Sequence, residues 1–179
     1  MTATLWTAHD LGEATGGRAS RDFAATGVSI DTRTLEPGDL FVALHGENSD
    51  GHAHVAQALA KGAAGALIHA SVPGLAADAP LLAVDEPLGG LTRLGAFGRA
   101  RFTGRLVAIT GSVGKTTTKE MLRRILAIAG PTPAIGAAYN IHGGVPLTLA
   151  RLPPDTAFCV AEIGTGKPGE ILRLARLAH

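Results

Sequence analysis

Leu106-Val107-Ala108-Ile109-Thr110-Gly111-Ser112-Val113-Gly114-Lys115-Thr116-Thr117-Thr118 decides how this chain is read. An apolar run, a glycine loop and then the amphipathic stretch Lys119-Glu120-Met121-Leu122-Arg123-Arg124-Ile125-Leu126 predict strand, loop and helix in succession. That order is what a phosphate cradle requires. Glycines allow backbone N–H groups to turn toward an anion, and a helix N-terminus adds about half a positive charge. In such a loop Lys115 reaches the outer phosphates of a nucleoside triphosphate and the Thr116 hydroxyl becomes a ligand for Mg²⁺. The full P-loop spacing would need a glycine at position 109, where the chain has Ile109. The pattern present is the shorter G-x-x-G-K-T-T. The competing reading is an ordinary strand-to-helix turn.

Working outward, Glu162 ends the apolar run Phe158-Cys159-Val160-Ala161. A carboxylate at the C-terminal end of a parallel strand beside a phosphate loop is placed to hold a nucleotide's Mg²⁺, which takes only one or two carboxylates. The alternative is a solvated strand end. Cys159, the single cysteine, sits inside that apolar run and reads as a core thiol. It excludes an internal disulfide and a multi-cysteine zinc site. His45, His52 and His54 lie close together in sequence, but their spacing is not the i, i+4 of a helical zinc pair, so polar loop contacts are the stronger reading.

The rest of the chain alternates. Leu5 to Ala14 reads as a helix capped by Thr7 and stopped at Gly16-Gly17. Strands are expected at Val28-Ser29-Ile30, 40–44, Ala66-Leu67-Ile68 and 81–84, with a turn at Glu36-Pro37-Gly38-Asp39. His45 to Gly51 reads as a polar loop, and helices are expected from His54 to Lys61 and from Leu88 to Phe102. After the phosphate loop come a Pro/Gly-rich loop (130–138), a helix over 145–152, a strand over 157–163 and a helix from Pro168. Strands alternating with helices predict an α/β layered fold. Residues 1–86 are expected to form one domain, 87–104 a connecting helix and 105–179 the first part of a parallel-sheet, P-loop-type ATPase domain. Only two or three strands of that second sheet fall within the chain, against a usual ~5–6. Open strand edges and apolar surface are therefore expected there.

Hydrophobic residues make up 46% of the 179, enough for a core, while aromatics at 4% leave that core to Ala, Leu, Val and Ile. Sixteen Lys+Arg against fifteen Asp+Glu give a net charge of +1, so there is no general field for nucleic acid. No apolar run reaches the ~18 residues of a membrane span, and a cytoplasmic protein is the expectation.

These residues together resemble the Mur ligases, the ATP-dependent amino-acid and peptide ligases of peptidoglycan synthesis. The resemblance rests on Ser29-Ile30-Asp31-Thr32-Arg33, on 37–44, on Gly46-Glu47-Asn48 and Asp50-Gly51-His52, and on Gly62-Ala63. It continues through the phosphate loop, Tyr139-Asn140 with Gly144-Val145-Pro146-Leu147-Thr148-Leu149, and Glu162-Ile163-Gly164 with Pro168-Gly169-Glu170-Ile171. It implies an N-terminal α/β domain that holds the uridine diphosphate end of the substrate through Thr32, Arg33, Gly46, Asn48, Asp50 and His52. It implies ATP held by Gly111, Ser112, Val113, Gly114, Lys115, Thr116, Thr117 and Asn140, Mg²⁺ held by Thr116 and Glu162, and catalytic roles for Lys115 and Glu162. Within the family the match is to the branch that joins D-alanyl-D-alanine to UDP-N-acetylmuramoyl-tripeptide. The branch that adds the third amino acid is the alternative, as is a fragment that binds the uridine substrate without ligation. The chain departs from the family at Ile141, where a second asparagine is usual, and at Gly166-Lys167, where Asn-His is usual. Family members are longer. The resemblance implies that this is an N-terminal portion, with a metal-supporting carbamylated lysine, adenine contacts and a closing C-terminal domain lying beyond it.

Overall fold

The computed structural model describes residues 3–46, 49–133, 143–164 and 168–179. Two compact units emerge, Met1–Leu94 and Gly95–His179. The division falls inside a helix, eight residues after the expected 1–86 boundary.

In chain order the first unit holds β1 (Trp6–Thr7), α1 (Ala8–Thr15), β2 (Arg18–Ala19), β3 (Ala24–Ala25), β4 (Gly27–Ser29), β5 (Asp39–Val42), β6 (His45–Gly46) and β7 (Ser49–Asp50). A 3-10 turn (Gly51–His54), α2 (Val55–Ala60), β8 (Gly65–Ile68), β9 (Leu81–Ala83) and the start of α3 (Pro87–Arg101) complete it. Five strands form one sheet in the order β2-β9-β8-β5-β4. β4, β5, β8 and β9 run parallel, and β2 closes the edge antiparallel to β9.

The sheet buries both faces, so β5 and β8 read as continuous apolar runs rather than alternating ones. On one face Phe41, Ala43, Ala66 and Ile68 pack with Val55 and Ala58 of α2. Leu40, Val42, Leu67 and Leu82, also fully buried, alternate with these along their strands and belong to the other face. There the start of α3 comes close enough that a Cβ at Gly90 would lie 3.4 Å from Leu67 and Val84.

α1 begins where the cap chemistry puts it. Thr7 Oγ1 accepts the Asp10 N–H at 3.1 Å, while the Asp10 carboxylate accepts the Thr7 N–H at 2.9 Å. This reciprocal box starts the helix at Ala8, after the extended Trp6-Thr7 of β1, rather than at Leu5 as expected. Gly16, left-handed at φ 66°, ends it.

The stretch from His45 to Gly51, expected as a loop, is a short hairpin instead: β6 and β7 pair antiparallel, His45 opposite Asp50 and Gly46 opposite Ser49. Its exit needs glycine. The Gly51 N–H donates to the Leu44 carbonyl at 2.8 Å, and a Cβ at Gly51 would lie 2.7 Å from the backbone of Ala43 and Leu44. Main-chain closeness of that kind leaves little hydropathy signal, which is why the pattern reads as a loop.

The second unit holds the end of α3, then β10 (Arg105–Ile109), α4 (Lys115–Leu126), α5 (Gly144–Ala150), β11 (Phe158–Glu162) and α6 (Glu170–Ala178). β10 and β11 pair in parallel. Val145, Leu149, Ile163 and Leu174 form one cluster, and Phe102, Leu152 and Cys159 another; Leu106 packs against both. Burial pushes the Cys159 thiol up to about 12. β11 is buried almost throughout, whereas Val107 of β10 and Met121, Ile125 and Ile128 on and after α4 are exposed. The open apolar surface expected of a two-stranded sheet is therefore present.

Two outcomes follow from this packing. Leu67→Ala removes a fully buried side chain and should cost about 2–5 kcal/mol, whereas Leu172→Ala on an exposed site should stay within about 0.5 kcal/mol; urea unfolding midpoints compare them. Cys159 should resist iodoacetamide at pH 8 in the native protein and react once unfolded. The native thiol keeps a proton that the unfolded chain releases above its ordinary value of 9.0, so stability should decline as pH rises from there toward 12.

Candidate functional site

The phosphate loop forms as the glycines dictate. Gly111 takes φ 150° and Gly114 φ 77°, both unfavourable for a side-chain-bearing residue, and Gly114 is the N-cap of α4. Among the described residues no side chain caps that helix end. Its first-turn amides are thereby left for an outside acceptor, the arrangement that receives an anion. Residues 110–114 are solvent-exposed. Lys115 folds back, and its Nζ donates to the Gly111 carbonyl at 2.8 Å.

Register brings the carboxylate to the loop. In the β10–β11 ladder Ile109, the last residue before the loop, stands opposite Glu162. The Ile163 N–H continues the ladder to the Ile109 carbonyl at 2.8 Å. Thr116 Oγ1 then donates to Glu162 Oε2 at 3.0 Å. Glu162 is only 8% exposed, and among the described residues no cation lies within ion-pair distance of it. A buried carboxylate partnered by a neutral hydroxyl is a costly arrangement unless a positive charge joins it. Two hard oxygen donors side by side suit Mg²⁺. The residues present fit that ion.

Behind the loop, Lys119 is buried and its Nζ lies 3.4 Å from Glu120. Glu120 also accepts from Arg123 Nε at 3.0 Å, a hydrogen bond that lowers its carboxyl below the usual range. Arg123 is thereby engaged along its own helix. Asn140, together with Ile141, His142, Gly166 and Lys167, lies outside the described residues.

In the first unit the residues marked by the resemblance fall into two groups. Thr32 is braced twice: its hydroxyl donates to Gln57 Oε1 at 3.2 Å and its carbonyl accepts Lys61 Nζ at 2.6 Å. Arg33 forks onto Asp31, Nε at 3.0 Å from both oxygens and Nη2 at 2.6 Å from Oδ2. The side-chain bond from Arg33 is the main reason the Asp31 carboxyl falls below its ordinary range. The second group is the hairpin, where Gly46 sits in β6 and Asp50 in β7. Asp50 Oδ1 accepts the His52 N–H and faces His52 Nδ1, each at 2.9 Å. The backbone hydrogen bond, then the ring, lowers the Asp50 carboxyl. Asn48 lies outside the described residues.

Asp31, Gln57, Lys61 and His69, whose N–H donates to His52 Nε2 at 3.2 Å, are partners to which the sequence reading gave no site role. Asp31 was findable, because an aspartate two residues before an arginine commonly caps the intervening turn. Gln57 and Lys61 were not, since they reach Thr32 only through the fold. Among the described residues no three His, Cys, Asp or Glu side chains converge as a metal cluster, and no helix is long and apolar enough to cross a membrane.

Comparison with known proteins gives matches over both units. Residues 109–179 match the Mur ligase middle domain, and residues 24–91 match the Mur ligase family, catalytic domain. UDP-N-acetylmuramoyl-tripeptide--D-alanyl-D-alanine ligase of Synechocystis is 40% identical over 159 residues, 89% of this chain and 35% of that protein. The same ligase of Escherichia coli is 44% identical over 150 residues, 84% of this chain and 32% of that protein. The crystal structure of MurF from Acinetobacter baumannii superimposes with a TM-score of 0.80 at 34% identity, covering 97% of this chain and 39% of that one. MurF from Thermotoga maritima in complex with ADP gives 0.64 at 28% identity, over 85% of this chain and 35% of that one. The chain thus spans about a third of the length of the curated relatives it matches. With similarity reaching through the phosphate loop in one direction and the five-stranded sheet in the other, the chain belongs to the Mur ligase family.

Proposed function

We propose that this chain supplies the substrate-holding and phosphate-gripping portion of an ATP-dependent ligase that joins D-alanyl-D-alanine to UDP-N-acetylmuramoyl-tripeptide in cytoplasmic peptidoglycan synthesis. The observation that carries the reading is the Thr116–Glu162 pair at the mouth of the glycine loop, 3.0 Å apart with the carboxylate buried. The relatives' names support the choice of substrates, and the ADP complex of the Thermotoga protein supports a nucleotide at the loop.

In this reading ATP phosphorylates the terminal carboxylate of the tripeptide, and the amine of D-alanyl-D-alanine then attacks the acyl phosphate, releasing phosphate. The protein's part is positioning and charge neutralisation. The amides at the start of α4 receive phosphate oxygens. Lys115 leaves the Gly111 carbonyl and turns its ammonium to the transferring group. Thr116 and Glu162 would hold Mg²⁺, which when bound neutralises charge on the phosphates. Thr32 and Arg33, with Gly46 and Asp50 of the hairpin and with Asn48 and His52, meet the uridine diphosphate end.

A second reading is the ligase that adds the third amino acid. The 2,6-diaminopimelate ligase of Gloeobacter violaceus is 36% identical over 138 residues, 74% of this chain. Ligation assays on the full-length protein with D-alanyl-D-alanine against single amino acids decide between the two. Turnover only with a single amino acid would overturn the first.

Calorimetric titration of the chain with UDP-N-acetylmuramoyl-tripeptide should show binding without ATP, and Arg33→Ala should weaken it by about tenfold, the scale of a lost charged hydrogen bond. Absence of binding by the unaltered, folded chain would remove the first unit's assigned role. In a full-length enzyme Lys115→Ala should lower the rate by about 100-fold or more, as loss of a charge-stabilising donor does. An unchanged rate would take the loop out of the mechanism. Glu162→Gln should raise the Mg²⁺ concentration needed for half-maximal rate while leaving uridine-substrate affinity unaltered.

A further inference from the structure

His52 spends both ring nitrogens inside the protein. Nδ1 faces Asp50 Oδ1 at 2.9 Å, and Nε2 receives the backbone N–H of His69 at 3.2 Å. An ionised carboxylate only accepts and a backbone N–H only donates, so the two contacts fix the ring's protonation: hydrogen on Nδ1, a bare lone pair on Nε2. The His52 side chain is 10% exposed, while the Asp50 side chain is 51% exposed. The His69 imidazole meets the His52 ring edge-on, with centroids 4.4 Å apart. His45 is the other titratable neighbour, its Nδ1 3.9 Å from the same Asp50 oxygen. Among the described residues these contacts of the Asp50 carboxylate all fall on Oδ1.

The chain positions on either side give this arrangement its consequence. His69 directly follows β8, a central strand of the five-stranded sheet. Asp50 is the last residue of the hairpin. His52 is thus a strut between a rigid strand end and a two-residue-per-strand hairpin, too short to hold its shape by its own ladder. We propose that His52 is a positioning residue. As a neutral, Nδ1-protonated imidazole it ties the hairpin to β8 and orients the Asp50 carboxylate, so that ligand meets Asp50 and the hairpin backbone rather than the ring. This rests on the uridine-nucleotide reading of the first unit and changes the part His52 plays in it.

The test is made on this chain with UDP-N-acetylmuramoyl-tripeptide as the probe. Nitrogen NMR of the histidine rings should show His52 as the Nδ1–H tautomer in the free protein, with its Nε2 resonance unmoved at saturating ligand. His52→Ala should lower both the melting temperature and the affinity, the latter by about tenfold, the scale of one or two lost hydrogen bonds. His52→Gln keeps an acceptor for the His69 amide and should recover most of both. An Nε2–H tautomer, an Nε2 resonance that moves on ligand addition, or a glutamine variant that melts like the unaltered protein yet binds as poorly as the alanine variant would overturn the proposal in favour of direct ligand contact. If His52→Ala does not fold, the tautomer and the glutamine variant decide. If the unaltered chain does not bind the probe, the functional reading fails, while the tautomer and the melting temperatures still judge the strut.

Discussion

The register of one parallel strand pair governs the second unit. Ile109 stands opposite Glu162, and a slip of one residue would turn that side chain to the other face of the sheet. Everything chemical depends on this pairing. The loop leaves β10 one residue after Ile109, and the first turn of α4 then carries Thr116 back to the Glu162 carboxylate. The apolar side chains on β11 and its neighbours pin the register. Cys159 packs with Phe102 and Leu152, and Ile163 with Val145, Leu149 and Leu174. The buried thiol at Cys159 is therefore part of what aims a carboxylate three residues away.

The loop and the strand end were legible in the sequence because each carries a local signal: glycines needing unusual φ beside an apolar run, and a charge ending one. The helix start at Thr7 was legible for the same reason, although the reciprocal bond with Asp10 moved it three residues along. What the sequence hid is non-local. β2 joins the sheet antiparallel through only two residues, Arg18 and Ala19, too few to show a period. The hairpin at 45–50 has polar residues and only four ladder positions, and it forms because Gly51 lets two main chains approach. Lys61 and Gln57 meet Thr32 from a helix that begins more than twenty residues later.

The exposed apolar side chains separate the two sheets physically. In the first unit the central parallel strands β5 and β8 are buried on both faces, as parallel sheets require. In the second, β11 meets that requirement and β10 does not, with Val107 and the Met121 and Ile125 positions of α4 facing water. The chain spans about a third of its relatives' length, so the uncovered strand and helix belong to the unit whose remaining sequence in those relatives lies beyond the match. The proposed ligation is therefore a property to be tested on a protein of the relatives' full length, and the proposed uridine-substrate binding one to be tested on this chain.

Both proposed ligand sites hold their charged groups in internal contacts that a ligand must replace, and the size of those contacts matters. Arg33 forks onto Asp31 with 86% of its side chain exposed, and an exposed ion pair contributes on the order of 0–1 kcal/mol. Lys115 rests on a single backbone carbonyl in an exposed loop, a bond whose net contribution is about 1 kcal/mol. Such contacts hold a side chain near its working position and yield readily to a phosphate carrying full charge. The Glu162 carboxylate differs: it is buried, its hydroxyl partner carries no charge, and a divalent cation arriving with the nucleotide would lower its energy rather than compete for it. Transfer of Lys115 to the phosphates and capture of the metal by Glu162 then act in the same direction, so nucleotide and metal should favour one another at this loop.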